Sequence, residues 1–258
     1  IVRFLISSLP LQQIIQKTAP DVIDYACGAG HFLTEFASQI KPIIKEQHKA
    51  AIDKYTDDEQ RKKYIADLMK NYNQHIVGIE KEYRLSKVSQ VSAFMYGQDG
   101  VNIIYADALS HIEKIKNNSF DVLVANPPYS VKGFLETLTD DEKNDFELIG
   151  AVSDLSKNNA IETFFIERAK QLLRTDGIAA IILPVSVLDK AGIYTKCREI
   201  ILKHFDIVAI FESGSGTFGK TGTKTSTLFL RRRACNKDGD TDIVKHFTHR
   251  VETWFAGC

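Results

Sequence analysis

The chain has 258 residues, in which 33 Lys and Arg residues balance 33 Asp and Glu residues and 44% of residues are hydrophobic. This composition is that of an ordinary globular protein and excludes a disordered chain, a collagen-like fibre and a uniformly basic nucleic-acid binder. The four cysteines include no CxxC pair and the seven histidines no HxH or HxxxH spacing, so we expect reduced thiols and no metal site. No apolar run approaches the roughly 20 residues of a membrane span, so we expect no membrane segment.

Short β-branched runs alternate with longer helical patterns along the chain. Strands are predicted over 22–25, 75–79, 102–105, 120–125, 178–183, 206–211 and 223–231, and helices over 32–45 and 161–173. This alternation is typical of βαβ units around a mostly parallel sheet. We therefore predict a doubly wound α/β fold with a seven-stranded sheet, whose last strand is antiparallel and pairs with the sixth.

Two segments exceed a minimal fold of this kind. The high charge of residues 46–73 predicts a helical insertion. This insertion is either an ordinary solvated surface or a functional segment. Residues 132–159 are polar and acidic and predict a long loop, a kind of segment that is often functional or mobile. We expect residues 1–258 to form a single domain that is a fragment of a longer protein, since Ile1 is not an initiator methionine.

A glycine turn, Cys27-Gly28-Ala29-Gly30, lies between the first predicted strand and the first predicted helix. Glycines at this position let the backbone approach a ligand, and the helix N-terminus adds free N–H groups. Leu33 stands where the dinucleotide fingerprint has its third glycine, which disfavours a nicotinamide enzyme. The alternative is a tight turn without a ligand.

Two carboxylates follow the second and third predicted strands. Glu80 suits ribose hydroxyls, although it lies 50 residues after Gly30 rather than the usual interval of about 20, which the charged insertion explains. The alternative for Glu80 is a solvent-facing side chain beside Lys81. Asp107 could accept a hydrogen bond from an adenine amino group or could cap a following helix.

The tetrapeptide Asn126-Pro127-Pro128-Tyr129 follows the fourth predicted strand, at the sheet end where ligands bind in this fold class. Two prolines stiffen the loop, and Asn126 adds a side-chain carbonyl to the backbone acceptors. Two fixed acceptors could bond both protons of an amine and localise its lone pair for attack on a methyl donor, while Tyr129 stacks on a flat ring. The alternative is a rigid turn without chemistry.

The glycine turn after Asp24 and the Asn126–Tyr129 loop, in this order, resemble the S-adenosylmethionine-dependent adenine-N6 DNA methyltransferases of the gamma group. The stretch from Asn126 to Phe134 is most similar to the modification subunit of type I restriction-modification systems. The resemblance spans nearly all of the chain. It implies a Rossmann-like methyltransferase fold, a bacterial cytoplasmic location, and transfer of a methyl group from S-adenosylmethionine to adenine N6 in DNA.

The resemblance also assigns roles to residues. It implies that Asp24, Cys27, Gly28 and Gly30 contact the methionine part of the cofactor. Glu80 would contact the ribose, and Asp107, with Ala108 beside it, would contact the adenine. The catalytic loop is Asn126, Pro127, Pro128 and Tyr129: the first two hold the amine, and Tyr129 stacks on an adenine flipped out of the duplex. Phe218 is a candidate for the opposite face of that base.

The chain departs from the family pattern at two places in the sequence. Tyr25 stands where Pro is usual, and Phe4-Leu5-Ile6-Ser7 replaces a Phe-x-Thr-Pro segment. We expect the family's N-terminal helical domain and target-recognition domain to lie outside this sequence. Sequence specificity would then come from a partner subunit or from parts of the protein outside this sequence. The resemblance implies double-stranded DNA, a separate specificity subunit and a restriction subunit as partners.

A rival motif, Gly214–Thr221, matches the phosphate-binding pattern G-x-x-x-x-G-K-T. The β-branched stretch that follows predicts a strand, whereas that motif requires a helix, so we interpret it as a hairpin turn. The stretch from Ser213 to Arg233 contains no acidic residue and five basic ones: Lys220, Lys224, Arg231, Arg232 and Arg233. It predicts either a positive patch that binds phosphates or a strand edge that carries charge.

Three other functions stay open on the sequence alone. The first is methylation of a protein glutamine or of RNA, since methyltransferases with those substrates use the same loop. A DNA-binding scaffold without cofactor is a second possibility, and ATP binding through Lys220 is a third. The sequence does not reveal the DNA recognition site or the oligomeric state.

Overall fold

The computed structural model describes residues 1–15, 18–213 and 223–234. Phe218 and Lys220, two candidates for base stacking or DNA contact, lie outside the described residues. The chain divides into two compact units, Ile1–Pro127 and Pro128–Cys258. The assignment of the whole chain to a single catalytic domain stays a prediction.

The described residues contain the seven strands of one mixed sheet. Four of them belong to the first unit: β1 Val22–Asp24, β2 Ile76–Glu80, β3 Asn102–Tyr105 and β4 Phe120–Ala125. They lie in the order β3-β2-β1-β4 and are parallel, with Val22 of β1 opposite Ile76 on one side and Val122 on the other. Because a parallel sheet is covered on both faces, β1 is buried along its whole length.

The second unit contains β5 Leu173–Pro184, β6 Phe205–Ser213 and β7 Thr225–Arg232. β7 lies between the other two and is antiparallel to both, with Leu228 opposite Ile181 of β5 and Ile210 of β6. The predicted α/β fold, with a mostly parallel sheet and an antiparallel last strand, is confirmed. The sequence predicted only the pairing with the sixth strand. The interior place of β7 agrees with the burial of all residues from Thr225 to Leu230.

Ten α-helices surround these strands in the described residues. Six lie in the first unit: α1 Val2–Ser7, α2 Leu11–Ile14, α3 His31–Gln47, α4 Lys49–Ile52, α5 Asp58–Asn73 and α6 Tyr83–Met95. Four lie in the second unit: α7 Asp140–Asn144, α8 Ile161–Leu172, α9 Ser186–Asp189 and α10 Ile193–His204. The predicted helices 32–45 and 161–173 correspond to α3 and α8 within two residues at each end. Phe36, Ile40 and Ile44 of α3 are buried at helical spacing.

Residues 46–73 are helical over most of their length. α3 runs to Gln47, and α5 begins after Asp57, whose side chain accepts the Gln60 N–H at 2.8 Å. Asp57 is thus an N-cap that satisfies a free donor of the first turn.

Residues 132–159 contain three short helical elements rather than one uninterrupted loop. These are α7 and two 3₁₀ turns, Phe134–Thr137 and Glu147–Ala151. α7 begins with a capping box in which Thr139 and Glu142 bond each other's backbone N–H groups. In residues 1–15, 18–213 and 223–234 no helix combines the length and the apolar character needed to cross a membrane.

Candidate active site

The glycine turn connects β1, which ends at Asp24, to α3, which begins at His31. Gly28 and Gly30 have φ values of +52° and +82°, a left-handed conformation that favours glycine. A Cβ added at Gly30 would lie 2.4 Å from the Ser89 Oγ, whereas one added at Gly28 would meet nothing within 4 Å. Gly30 is therefore needed for packing, and the space around Gly28 is open. A turn that admits a ligand at Gly28 requires this open space.

Asp24 is fully buried at the end of β1. Its Oδ1 accepts the Ala26 N–H at 3.0 Å, while its Oδ2 is buried without a hydrogen-bond partner among the described residues. Burial raises the pKa of Asp24 from an ordinary 3.8 to about 8, the Ala26 bond opposes this, and the charge of Glu80 adds to it. A buried carboxyl group with a free oxygen suits a cationic or donor group of a ligand.

Glu80, at the end of β2, holds the glycine turn. Its Oε2 accepts the Gly28 N–H at 2.8 Å, and its Oε1 accepts the Glu82 N–H at 2.7 Å. The sequence assigned Glu80 to a ribose and did not predict the bond to Gly28, which joins residues 52 positions apart. Each carboxylate oxygen can accept a second bond, so the half-buried Glu80 keeps acceptor sites for hydroxyl groups.

Asp107 follows β3 and is bound on both oxygens. Its Oδ1 accepts the Leu109 N–H at 3.0 Å, and its Oδ2 lies 2.6 Å from Nζ of Lys81. No helix follows Asp107, so the interpretation as a helix N-cap is wrong, and the side chain closes a turn instead. Ala108 beside it is buried. The Lys81 contact had no sequence signal, because 26 residues separate the partners.

Cys27 lies in the glycine turn and is buried. Its Sγ is 3.9 Å from the Ser89 Oγ, and its backbone N–H donates to the Ile79 carbonyl at 3.0 Å. Burial, together with the charge of Asp24, raises the pKa of the Cys27 thiol well above its usual range. The thiol is therefore protonated and is a poor nucleophile at neutral pH.

The loop after β4 alternates between exposed and buried residues. Asn126 and Pro128 are exposed, and Pro127 between them is buried. In the first unit, Asn126 follows the carboxyl end of β4 and thus lies at the same sheet edge as the glycine turn after the parallel β1. This edge also carries Glu80 and Asp107.

Tyr129 and Ser130 belong to the second unit. The half-buried Tyr129 donates its hydroxyl hydrogen to the Ile182 carbonyl of β5 at 3.0 Å, and burial and the charge of Glu162 raise its pKa. The Tyr129 ring is thus held in place, and its hydroxyl stays protonated. Ser130 has a left-handed φ of +54°, and its N–H donates to the Glu162 Oε2 at 3.0 Å. Sequence reasoning did not find Glu162, which carries no motif.

In the described part of the basic stretch, the three arginines at the end of β7 are engaged in internal contacts. Arg231 and Arg233 both pair with Asp206, at 2.9 and 2.7 Å, and Arg232 is buried with bonds to backbone carbonyls. Since β7 pairs on both sides, it is not an edge strand. Lys224 is exposed directly before β7 and remains available to a phosphate. β7 begins at Thr225, so a strand follows Gly214–Thr221 as predicted, whereas a phosphate-binding motif requires a helix there.

Comparisons with known proteins identify relatives among restriction-modification enzymes. The methylase subunit of the type I restriction enzyme MpnII from Mycoplasma pneumoniae is 27% identical over 235 residues, covering 86% of this chain and 38% of the relative. The methylase subunit of the type I restriction enzyme EcoEI from Escherichia coli is 23% identical over 240 residues, covering 92% and 42%. This chain thus spans less than half the length of these relatives.

A solved structure, the M protein of the type I restriction enzyme EcoKI, matches with a TM-score of 0.62 at 19% identity, over 90% of this chain and 43% of that chain. At this identity the likeness concerns the fold. A family model described as N-6 DNA Methylase matches residues 2–252, a range that contains both the glycine turn and the Asn126–Tyr129 loop. The chain therefore belongs to the N-6 DNA Methylase family.

Proposed function

We propose that this chain is the catalytic core of a DNA adenine-N6 methyltransferase that serves a restriction-modification system. The observation that carries the proposal is the sheet edge of the first unit. There the glycine turn, Glu80, Asp107 and Asn126 follow the carboxyl ends of four parallel strands. Ligands of open α/β sheets bind at this edge, and the Asn126 side chain exposed there suits an amine substrate.

The residues of this edge fit S-adenosylmethionine. The buried Asp24 Oδ2 lacks a partner that an ammonium group would supply, and the space at Gly28 is open. Glu80 would hold the ribose hydroxyls, and Asp107 with Ala108 would lie against the adenine. When bound, the cofactor supplies an electrophilic methyl group. Cys27 would line the cofactor pocket without acting as a nucleophile.

The Asn126–Tyr129 loop would orient the acceptor amine. The Asn126 side-chain carbonyl and the Pro127 backbone carbonyl would each accept a hydrogen bond from one N–H of the amine, so that its lone pair is localised on the nitrogen. Tyr129 would stack on the extruded adenine. Because its hydroxyl is bound to the Ile182 carbonyl, the ring orientation is set before the base arrives, and little ordering is needed in the reaction.

The proposed partners follow from the relatives. Two of them are methylase subunits of type I restriction enzymes, so we expect this chain to act on double-stranded DNA with a specificity subunit and a restriction subunit. A bacterial cytoplasmic location is part of the same proposal. Lys224, and Phe218 and Lys220 outside the described residues, are proposed DNA contacts.

The test is Asn126→Ala in the complete protein, assayed with labelled S-adenosylmethionine and unmethylated DNA. We expect methyl transfer to fall by about 10²-fold or more, because one fixed acceptor is lost, while calorimetry gives an unchanged affinity for S-adenosylmethionine. Asn144→Ala is the matched control, since Asn144 is exposed on α7. Loss of cofactor binding in Asn126→Ala would contradict the assigned role, and a product other than N6-methyladenine would contradict the substrate.

A further inference from the structure

Glu162 is a fully buried carboxylate in the second unit, in the first turn of α8. The start of a helix favours negative charge, because its N–H groups lack helical partners. Both oxygens of Glu162 are in use, and they reach two different parts of the chain. Its Oε2 accepts the Ser130 N–H at 3.0 Å, and its Oε1 accepts the Tyr194 hydroxyl of α10 at 2.8 Å.

Ser130 is the point at which the Asn126–Tyr129 loop leaves the site. Its φ of +54° is uncommon for a residue with a side chain and costs about 1–2 kcal/mol. Such a conformation persists only where the surroundings hold it. The bond from its N–H to Glu162 supplies that hold, so Glu162 secures the residue directly after Tyr129.

Tyr129 is thereby held at two points. Its hydroxyl bonds to the Ile182 carbonyl of β5, and the next peptide N–H bonds to Glu162. Tyr194 keeps Glu162 itself in place from α10. The three contacts join the loop, a strand and two helices into one support whose members are far apart in sequence.

We propose that Glu162, held by Tyr194, is the positioning residue that sets the loop exit and the Tyr129 ring for an extruded base. It touches neither cofactor nor substrate and acts through Ser130 and Tyr129. This inference rests on the proposed function. A displacement of about 1 Å at a reacting group can cost about 10²-fold in rate. Loss of this support should therefore lower kcat and leave cofactor affinity unchanged, since the proposed cofactor residues lie at the ends of β1, β2 and β3 in the first unit.

The chain offers a matched control on the same helix. Glu167 of α8 is also fully buried, and both of its oxygens also accept hydrogen bonds, here from the backbone N–H groups of Glu147 at 2.6 Å and Leu148 at 3.1 Å. These belong to a different segment, and none of them adjoins the Asn126–Tyr129 loop. Glu167→Ala thus removes an equivalent buried support without touching the loop exit.

The experiment compares Glu162→Ala, Glu162→Gln and Glu167→Ala in the complete methyltransferase assembly, with DNA and S-adenosylmethionine at saturation. We expect Glu162→Ala to lower kcat by about 10–100-fold with cofactor affinity within about twofold of wild type. Glu162→Gln should keep kcat within about threefold, because the amide oxygen still accepts from Ser130 and the amide nitrogen can donate to Tyr194. Glu167→Ala should lower the melting temperature comparably and keep kcat.

An equal kcat for Glu162→Ala and Glu167→Ala would overturn the inference, as would a Glu162→Gln variant as impaired as Glu162→Ala. If Glu162→Ala does not fold, Tyr194→Phe takes its place, because it keeps the buried ring and removes one bond. It should lower kcat by about 3–10-fold, and an unchanged kcat overturns the inference. Asn126→Ala in the same assay separates this inference from the proposed function, since retained activity of that variant would refute the proposed function, whereas the Glu162 variants test only the inference.

Discussion

Replacing Asp24 by Asn tests the electrostatics of the cofactor edge. Asn has the same shape, keeps an acceptor for the Ala26 N–H, and carries no titrating proton. In the wild type, burial raises the pKa of Asp24 from 3.8 to about 8. Between these values the carboxyl group is protonated in the folded state and ionised in the unfolded state. The folded state binds more protons, so stability falls as pH rises through this window.

The size of the effect follows from the pKa values. One pKa unit corresponds to about 1.4 kcal/mol, and Asp24 is fully buried, so solvent screens it little. From pH 6 to pH 7.5 the wild type should lose about 2 kcal/mol of unfolding free energy relative to Asp24→Asn. Other groups, such as His204, whose pKa burial lowers to about 4, titrate in both proteins and cancel in the difference.

Urea unfolding of both proteins at several pH values between 6 and 7.5 measures this difference. A second readout is proton release on cofactor binding. At pH 7 the Asp24 carboxyl is about nine-tenths protonated with a pKa of about 8, and a cationic group beside it would displace that proton. Calorimetry in buffers of different ionisation enthalpy should detect about one proton released by the wild type and none by Asp24→Asn.

Parallel pH profiles for wild type and Asp24→Asn would refute the reasoning from burial. A pH difference without proton release would instead keep the burial argument and reject an ammonium group next to Asp24. The two readouts therefore distinguish the state of the free protein from the identity of its ligand.

Two stability predictions concern the backbone. Gly28→Ala should cost about 1 kcal/mol, because its φ is left-handed and its surroundings are open, whereas Gly30→Ala should cost about 2–3 kcal/mol, because its Cβ would also meet the Ser89 hydroxyl at 2.4 Å. Urea unfolding measures both, and equal costs would contradict the packing argument. Thr139→Ala should cost about 1 kcal/mol by removing the capping box of α7, and an unchanged unfolding midpoint would show that this box is not needed.

The local sequence pattern was sufficient to predict the seven strands and their positions along the chain. The runs that became β3 and β4 were predicted at their observed ends, because β-branched and apolar residues there are bounded by polar turns. The glycine turn and the Asn126–Tyr129 loop were also predicted at strand ends, since both are continuous in sequence. The capping box from Thr139 to Glu142 was a local signal as well, and attention to it would have predicted α7 within residues 132–159.

Contacts between distant residues were decided by the tertiary structure alone. The sequence marks Asp24 as a carboxylate after a strand, but only the surrounding sheet and helices remove water from it and raise its pKa. The same holds for the Gly28 bond to Glu80, the pairing of Asp206 with Arg231 and Arg233, and the support of Ser130 by Glu162. The carboxylate in each of these contacts is an ordinary acidic residue in the sequence. Its function depends on which distant N–H or cation the fold brings within about 3 Å.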